Sequence, residues 1–257
     1  MAGVTLLPDV RVAERAVTAM NKPKNALCRL CRTSSELCES HIFPRSFIKL
    51  VRDEDTNKFY QMHDKVDNLI QDGPKERLLC GECEQKISRY EKYFKEGVHL
   101  SRHGIGIVQA RDSAVIRNLD YSKAKLFLLS IIWRMSVCCL PQFESISLRE
   151  SEDVIRRMVM EEDPGESRMF PICALIPLID GKVEECVLCT PSVSKHNEVY
   201  AFIIGGILYF VSVRHGNAFP DPMYLLNESG TWVMPLVDFH KVPFLGEFLA
   251  RHFSSGG

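Results

Sequence analysis

Two pairs of cysteines at the same short spacing constrain this chain more than any other feature. Cys28 and Cys31 form the first Cys-x-x-Cys pair, Cys80 and Cys83 form the second, and 48 residues separate the two pairs. Two such pairs offer four thiolates in the tetrahedral arrangement that Zn²⁺ prefers, once the intervening chain loops back. The sequence therefore predicts one structural zinc ion bound by these four cysteines.

The surroundings of the cysteine pairs agree with a metal site. The polar stretch at residues 28–95 carries few large aliphatic side chains, and a segment of about 70 residues of this kind usually needs a metal to offset its chain entropy. The second pair opens a predicted helix, and the positive end of the helix dipole favours thiolates there. Cys38 and His41 are alternative ligands for one of the four positions.

A third pair, Cys186 and Cys189, has a different interpretation. The pair lies in an apolar predicted strand, in which side chains three residues apart point to opposite faces, and no partner pair follows. We therefore expect core cysteines there. The first residues of the sequence also lack a basic region followed by an unbroken apolar stretch. The ten cysteines therefore indicate a reduced, cytoplasmic protein rather than a disulfide framework.

Composition narrows the function classes. Hydrophobic residues make up 46% of the chain and charged residues 25%, which is typical of a globular protein. The net charge of −1 and the pI near 6.7 exclude a whole-chain attraction to nucleic acid or anionic lipid, so a nucleic-acid site has to be local. The most apolar stretch, Leu126–Leu140, is too short to span a bilayer and contains Arg134, so we expect no membrane partner.

Hydrophobic periodicity predicts helices followed by strands, which indicates an α+β fold. The predicted helices are a weak one at Val10–Met20, one from Gly81 or Cys83 to Phe94, and three more at Lys123–Cys139, Ser151–Glu161 and Pro243–Phe253. The predicted strands are Phe170–Ile179, Val183–Leu188, Tyr200–Ile204, Ile207–Val213 and Trp232–Val237. Asp180-Gly181 and Gly205-Gly206 are typical of two-residue hairpin turns, which require positive φ.

The same patterns divide the chain into four predicted parts. They are a lead-in segment at residues 1–25, a zinc-binding module at residues 26–96, a C-terminal domain at residues 97–253 and a disordered tail at residues 254–257. The thin apolar side of the zinc module indicates that it packs on the larger domain, which we expect to combine helices with an antiparallel sheet. That domain contains no nucleotide-binding glycine loop, HExxH motif or nucleophile elbow. Its ligand is left open between a partner protein, a second copy of the chain and a nucleic acid.

The segment Ser40-His41-Ile42-Phe43-Pro44 stands between the two cysteine pairs. The sequence has the first cysteine pair, then this His-Ile-x-Pro element, then a second pair that opens a helix. This order of motifs resembles that of the zinc-containing branch of the HNH endonucleases. These enzymes have the ββα-metal fold, and the resemblance covers residues 28–94. It implies a zinc-stabilised, treble-clef-like ββα module with a divergent metal site on the N-terminal side of the chain.

In that family the histidine of the His-Ile-x-Pro element is the general base, so the resemblance assigns this catalytic role to His41. A divalent cation, Mg²⁺ or Mn²⁺, neutralises the scissile phosphate and takes ligands from the residue before this histidine and the residue after the last cysteine. Ser40 replaces the usual Asp at the first position, and Glu84 replaces Asn or His at the second. Glu91 lies two turns further along the same helix face and is a third candidate ligand.

Three basic residues lie near this predicted site. Lys75 occupies the position of the middle Asn of the family, Arg45 follows the His-x-x-Pro element and Arg77 precedes the second cysteine pair. The resemblance implies that they contact nucleic-acid phosphates. The alternative is that all three lie in solvated loops and bind nothing, because neighbouring carboxylates offset their positive charge.

The resemblance implies a metal-dependent endonuclease that hydrolyses phosphodiester bonds in DNA, or less favourably in RNA. It also implies a bacterial or phage-related enzyme that suits restriction or phage defence, in which the C-terminal domain controls when or where cleavage occurs. The alternative is a catalytically inactive zinc module that binds nucleic acid or protein, and Ser40 and Lys75 favour that alternative. Fold alone does not decide between these two functions. Redox sensing through the cysteines is a third hypothesis.

Overall fold

The structure is a computed structural model, and its description covers most of the chain in separate stretches. These are residues 25–49, 59–62, 68–70, 73–99, 106–183, 187–194, 198–213, 219 and 221–242. The helices predicted at Val10–Met20 and Pro243–Phe253 and the tail predicted at residues 254–257 lie outside the described residues.

The described residues form a mixture of helices and strands, which confirms the α+β class. The helices are α1 (Arg45–Ile48), α2 (Gly81–Phe94), α3 (Tyr121–Val137) and α4 (Ser151–Glu161). The strands are β1 (Asn25–Leu27), β2 (Ser34–His41), β3 (Phe59–Met62), β4 (Asn68–Ile70), β5 (Lys75–Cys80), β6 (Gly106–Gln109), β7 (Ser113–Arg117), β8 (Ile172–Ile179), β9 (Lys182–Val183), β10 (Val187–Ser194), β11 (Val199–Ile204), β12 (Ile207–Ser212) and β13 (Trp232–Asp238). A π-helical turn at Lys95–His99 continues α2.

A small antiparallel sheet in the order β1-β2-β5 carries the cysteine pairs. Strand β2 pairs with β5 from Leu37 opposite Cys80 to His41 opposite Lys75, and α2 begins directly after β5. Two antiparallel strands followed by a helix therefore surround the cysteines. The assignment of this unit to the HNH fold stays a prediction.

The remaining strands form a ten-stranded sheet in the order β4-β3-β10-β11-β12-β8-β13-β7-β6, and β9 pairs with β8. Most pairings are antiparallel, but β10 runs parallel to β3 and β13 runs parallel to β8. The antiparallel sheet predicted for residues 97–253 was wrong on the pairing of β13 with β8, because these two strands are distant in sequence. The pairing of β10 with β3 joins that part of the chain to residues of the predicted zinc module. Strands β3 and β4 come from residues within the predicted zinc module, and the division of the chain at residue 96 stays a prediction.

The two hairpin turns that the sequence predicts are present. Asp180 and Gly181 have φ values of 50° and 76° between paired strands β8 and β9. Gly205 and Gly206 have φ values of 59° and 74° between β11 and β12. Two consecutive left-handed residues give the turn a twist that matches that of the flanking strands, so these residues define the registers of both hairpins.

Helix α3 is the central helix of the core. The side chain of Asp120 accepts a hydrogen bond from the Lys123 amide at 3.1 Å and caps its first turn. All residues from Ala124 to Met135 are buried, because helices and the large sheet pack around α3. The rings of Phe94 and Phe127 stack with centroids 4.4 Å apart, which joins α2 to α3 in one continuous core.

The helix and strand predictions agree with these bounds to within a few residues in most places. Helix α4 has the predicted bounds and buries Ile155, Met158 and Val159. Part of the strand predicted at Val183–Leu188, residues 184–186, lies outside the described residues, while Val183 belongs to β9 and Val187 and Leu188 belong to β10. Cys186 lies outside the described residues, and the core role of this cysteine pair stays a prediction.

Candidate metal centre and active site

A tight turn between β1 and β2 presents the first cysteine pair. The Cys28 amide donates to the Thr33 carbonyl and the Arg32 amide donates to the Cys28 carbonyl, both at 2.9 Å. Arg32 takes a left-handed conformation with φ of 61°, which lets the chain reverse within six residues. The Arg29 amide donates to the Leu78 carbonyl at 2.9 Å, so the turn is fixed to the strand that leads to the second pair.

The second cysteine pair lies where β5 passes into α2. Cys80 is the residue before the first helical turn, with extended backbone, and Cys83 lies within that turn. The Cys80 amide donates to the Cys28 sulfur at 3.3 Å. Amide donors and the positive end of the helix dipole both stabilise negative charge on sulfur, so this junction favours thiolates.

The four predicted sulfur atoms form one compact cluster. The Sγ atoms of Cys28, Cys31, Cys80 and Cys83 all lie within 4.8 Å of one another, and the Sγ atoms of Cys31 and Cys80 are 3.8 Å apart. A zinc ion with Zn–S bonds of about 2.3 Å in tetrahedral geometry separates its sulfur ligands by about 3.8 Å. The cluster can therefore hold a metal ion such as zinc, and Cys38 lies outside it with an exposed side chain.

The protonation chemistry of the cluster also fits a cation. Burial raises the pKa of the Cys28 and Cys83 thiols, and the neighbouring cysteines raise the pKa of Cys83 further. For Cys31, burial acts in the same direction, but hydrogen bonds from the Thr33 hydroxyl and amide outweigh it and lower the pKa to about 7. Crowded thiols resist losing their protons one by one, and a bound dication offsets the repulsion between the resulting thiolates.

Ser40 lies in the interior of the small sheet. Its side chain is fully buried, and its hydroxyl oxygen accepts a hydrogen bond from the Leu79 amide at 3.2 Å. This bond spans a bulge in the pairing of β2 with β5. The structure therefore gives Ser40 a role in holding the two strands together beside the second cysteine pair.

His41 ends β2 and is connected to α3 and α2 through one arginine. Its side chain is partly exposed, and its backbone carbonyl accepts a hydrogen bond from Arg134 Nη1 at 2.7 Å. The same guanidinium nitrogen lies 2.9 Å from Glu91 Oε1, and Arg134 is only 2% exposed. Glu91, a predicted magnesium ligand, is thus engaged in a largely buried ion pair near the backbone of His41.

Glu84 differs from Ser40 and Glu91 in the hydrogen bonding of its side chain. Its Oε1 atom is buried and accepts no hydrogen bond from any residue that the structure describes. After burial, the charge of Glu84 is the main contribution that raises the pKa of the Cys38 thiol, which places this carboxylate beside β2. A buried carboxylate oxygen without a donor costs free energy unless a cation or a water molecule satisfies it.

The three basic residues predicted to contact phosphates lie in different environments. Lys75 Nζ forms an ion pair with Glu39 Oε2 at 3.3 Å on the exposed side of β5, and Arg77 on the same strand is partly buried and also engaged. Arg45 is exposed at the start of α1 and lines a cleft against α2. Contact of these three side chains with nucleic-acid phosphates stays a prediction.

Two buried charges near the site were missed by sequence reasoning. Arg134 lies in the middle of the apolar stretch that forms α3, and Glu76 is 4% exposed and accepts a hydrogen bond from the Cys139 amide at 2.6 Å. A charged residue within an otherwise apolar helix is a signal for a buried partner. That signal could have identified Arg134, but the partner on α2 could not be read from the sequence.

Comparison of the chain with protein-family models, with curated proteins and with solved structures gives no match. Within the described stretches, no helix combines the length and the apolar character that crossing a bilayer requires.

Proposed function

We propose that this chain is a zinc-stabilised, metal-dependent endonuclease of the HNH type, which hydrolyses phosphodiester bonds in DNA or RNA. The observation that carries the proposal is the partnerless buried oxygen of Glu84, which lies on the helix that the second cysteine pair opens. Two antiparallel strands, a cysteine cluster and this helix are the parts that the proposal requires. A role in restriction or phage defence belongs to the same proposal.

In this proposal Glu84 provides a hard oxygen ligand for Mg²⁺ or Mn²⁺. When bound, that cation supplies positive charge to the scissile phosphate and the leaving oxygen. His41 acts as the general base that accepts a proton from the attacking water, and its partly exposed side chain leaves room for that water. Arg134 fixes the backbone of His41 through the hydrogen bond to its carbonyl.

The test is a cleavage assay on supercoiled plasmid, single-stranded DNA and RNA with magnesium or manganese. We expect the wild-type chain to cut at least one substrate, and His41→Ala and Glu84→Gln each to lower the rate by about 100-fold or more, because a positioned general base alone contributes about 10²–10⁴-fold. Glu144→Gln is the control, since Glu144 is exposed and does not line the cleft that contains Glu84.

Manganese binding gives a second readout that does not need turnover. Binding to the wild type should diminish the sharp electron paramagnetic resonance signal of free Mn²⁺, and Glu84→Gln should leave that signal close to its protein-free intensity, with zinc content and the folded state unchanged. A wild-type chain that binds zinc but cuts none of the substrates, or a Glu84→Gln variant that cuts at the wild-type rate, contradicts the proposal.

A zinc-stabilised binding module is the second candidate function. Two observations favour it, because each engages a predicted cation ligand with another group. The buried Ser40 hydroxyl accepts a hydrogen bond from the Leu79 amide, and Glu91 forms an ion pair with Arg134. The variant Ser40→Asp separates the candidates. A carboxylate at position 40, where the resemblance places a cation ligand, should raise the cleavage rate of a weak nuclease, whereas in a binding module it should leave the chain inactive.

A further inference from the structure

A cleft lies between α1 and the C-terminal half of α2, on the helix that carries Glu84. It has a volume of about 460 Å³, and its walls include Arg45 and Ser46 from α1 and Ser88 from α2. Ser88 also lines a second cleft, which contains Glu84. The two clefts therefore adjoin at Ser88 and lie along successive stretches of α2, one beside the proposed cation ligand and the other toward the end of the helix.

Three basic side chains line the cleft between the helices. They belong to Arg45, Lys92 and Lys95, and within the described part of the chain none of them forms an ion pair. The two carboxylates that line the cleft offset these charges only in part, because Glu91 is already paired with Arg134 at 2.9 Å and Glu96 carries a single negative charge. The cleft therefore has excess positive charge, although the whole chain has a net charge of −1.

The cleft also contains an unused hydrogen-bond donor. The hydroxyl oxygen of Ser46 is buried and has no hydrogen-bond partner in the described part of the chain. A buried hydroxyl without a partner is costly unless a ligand satisfies it. Three free cations and one free hydroxyl together match a phosphate group, which carries charge and several acceptor oxygens.

We infer that this cleft binds the phosphodiester backbone of a nucleic acid, in contacts from Lys92, Lys95 and Arg45, with Ser46 donating to a phosphate oxygen. The inference rests on the proposed function in its choice of ligand. It also differs from the binding surface expected from the sequence, which included Lys75. Lys75 lies on β5 rather than on α2, and its ammonium group is paired with Glu39. Arg45 is the residue that the two assignments share.

The position of the cleft relates it to the proposed reaction. Glu91 lines it and is linked through Arg134 to the backbone carbonyl of His41. A backbone bound along α2 would therefore pass beside the end of β2, between the cation ligand Glu84 and the basic end of the helix. The charges of Lys92 and Lys95 would hold phosphates that flank the one to be cleaved.

The experiment measures binding of a labelled DNA duplex, a labelled single strand and a labelled RNA by fluorescence anisotropy without added magnesium or manganese. The double variant Lys92→Gln/Lys95→Gln should weaken binding of the preferred nucleic acid by about tenfold or more. It should also reduce the steepness of log K against log salt by about 1.4–1.8, because each lost phosphate contact contributes about 0.7–0.9. Ser46→Ala should weaken binding by a smaller factor.

The matched control is Lys123→Gln/Lys182→Gln, which removes the same two charges away from the cleft. Lys123 is paired with Asp120 at the start of α3, and Lys182 lies on the exposed hairpin strand β9. This control should bind within about twofold of the wild type, as expected for charges that contact no phosphate. Thermal unfolding of each variant separates lost binding from lost structure.

Two results overturn the inference: a cleft variant that binds like the wild type, and a wild-type chain that binds none of the three nucleic acids. A wild type that binds through the cleft but cuts nothing supports the inference and contradicts the endonuclease proposal. Cleavage that persists unchanged in Lys92→Gln/Lys95→Gln supports the endonuclease proposal and contradicts the cleft assignment.

Discussion

At the scale of single residues, the turn between β11 and β12 is connected to the end of α2. Gly205 has φ of 59°, and a Cβ atom at this position would overlap the ring of His99. The His99 ring in turn packs edge-on against Phe47, with centroids 4.9 Å apart. Glycine is therefore required at position 205 for two separate reasons, the positive φ and the close approach of an imidazole ring.

The substitution Gly205→Ala should destabilise the fold by about 2 kcal/mol or more, since left-handed strain costs about 1–2 kcal/mol and the His99 ring must also move. Gly181→Ala is the control, because Gly181 has φ of 76° but no atom within 4 Å of an added Cβ. That control should lose only the strain contribution. Urea unfolding of both variants measures the difference, and equal losses would show that His99 does not pack there.

His99 should also make stability depend on pH. Burial, followed by the charge of Lys95, lowers the pKa of His99 to about 4. The unfolded chain therefore takes up a proton near pH 6.5, whereas the folded chain does not do so until about pH 4. Stability from this residue is complete above about pH 6.5 and falls as the pH drops toward 4, by a total on the order of 3 kcal/mol.

The measurement for His99 is the free energy of unfolding between pH 7 and pH 4.5 for the wild type and for His99→Gln. The variant is expected to be less stable at pH 7 but to lose less stability on acidification. Acid also protonates the cysteine cluster, but this contribution is common to both proteins. Parallel curves would mean that His99 titrates normally.

At the scale of secondary-structure elements, one ion pair connects α2 to α3. Arg134 is 2% exposed and Glu91 is 18% exposed. Arg134 also donates from Nε to the Ser130 carbonyl at 3.2 Å, while its Nη2 atom is buried and has no hydrogen-bond partner in the described stretches. A charge this deeply buried depends on its counter-ion, so the packing of the two helices depends on the pair.

The variant Glu91→Gln should destabilise the chain by about 3 kcal/mol, because it leaves a buried guanidinium without its counter-ion. The double variant Glu91→Leu/Arg134→Met should recover part of this loss, since it removes both charges. Arg157→Gln provides the comparison for an exposed pair with Asp153, and it should cost less than about 1 kcal/mol. Equal effects of Glu91→Gln and Arg157→Gln in urea unfolding would contradict a buried role for the pair.

Some of the helices and strands could be predicted from the sequence and others could not. Helices α2 and α4 were predicted with their observed ends, because Ile87, Tyr90 and Phe94 recur at helical spacing on α2 and α4 has an equally regular apolar stripe. Strands β6 and β7 were missed, since neither has the long apolar run of the later strands. The parallel pairing of β8 with β13 was also missed, because periodicity within a strand does not identify its neighbours.

At the scale of the whole molecule, the cysteine cluster and the large sheet share one hydrophobic core, which contains both Cys28 and Trp232. Strands β3 and β4 extend that sheet from within the chain segment between the two cysteine pairs. Sequence reasoning predicted the cysteine ligands, because their spacing is set by local geometry. It could not predict the basic cleft, because its two walls lie on separate helices and come together only in the folded chain.

The account depends most directly on the zinc ion, and elemental analysis of the chain purified without chelator tests it. We expect about one zinc per chain, loss of most of it in Cys80→Ser, and no loss in Cys38→Ser, whose thiol is exposed and outside the cluster. Replacement of zinc by cobalt should give the visible absorption of a tetrahedral thiolate site. Less than about half an equivalent of zinc in the wild type, or full zinc content in Cys80→Ser, would contradict the four-cysteine site.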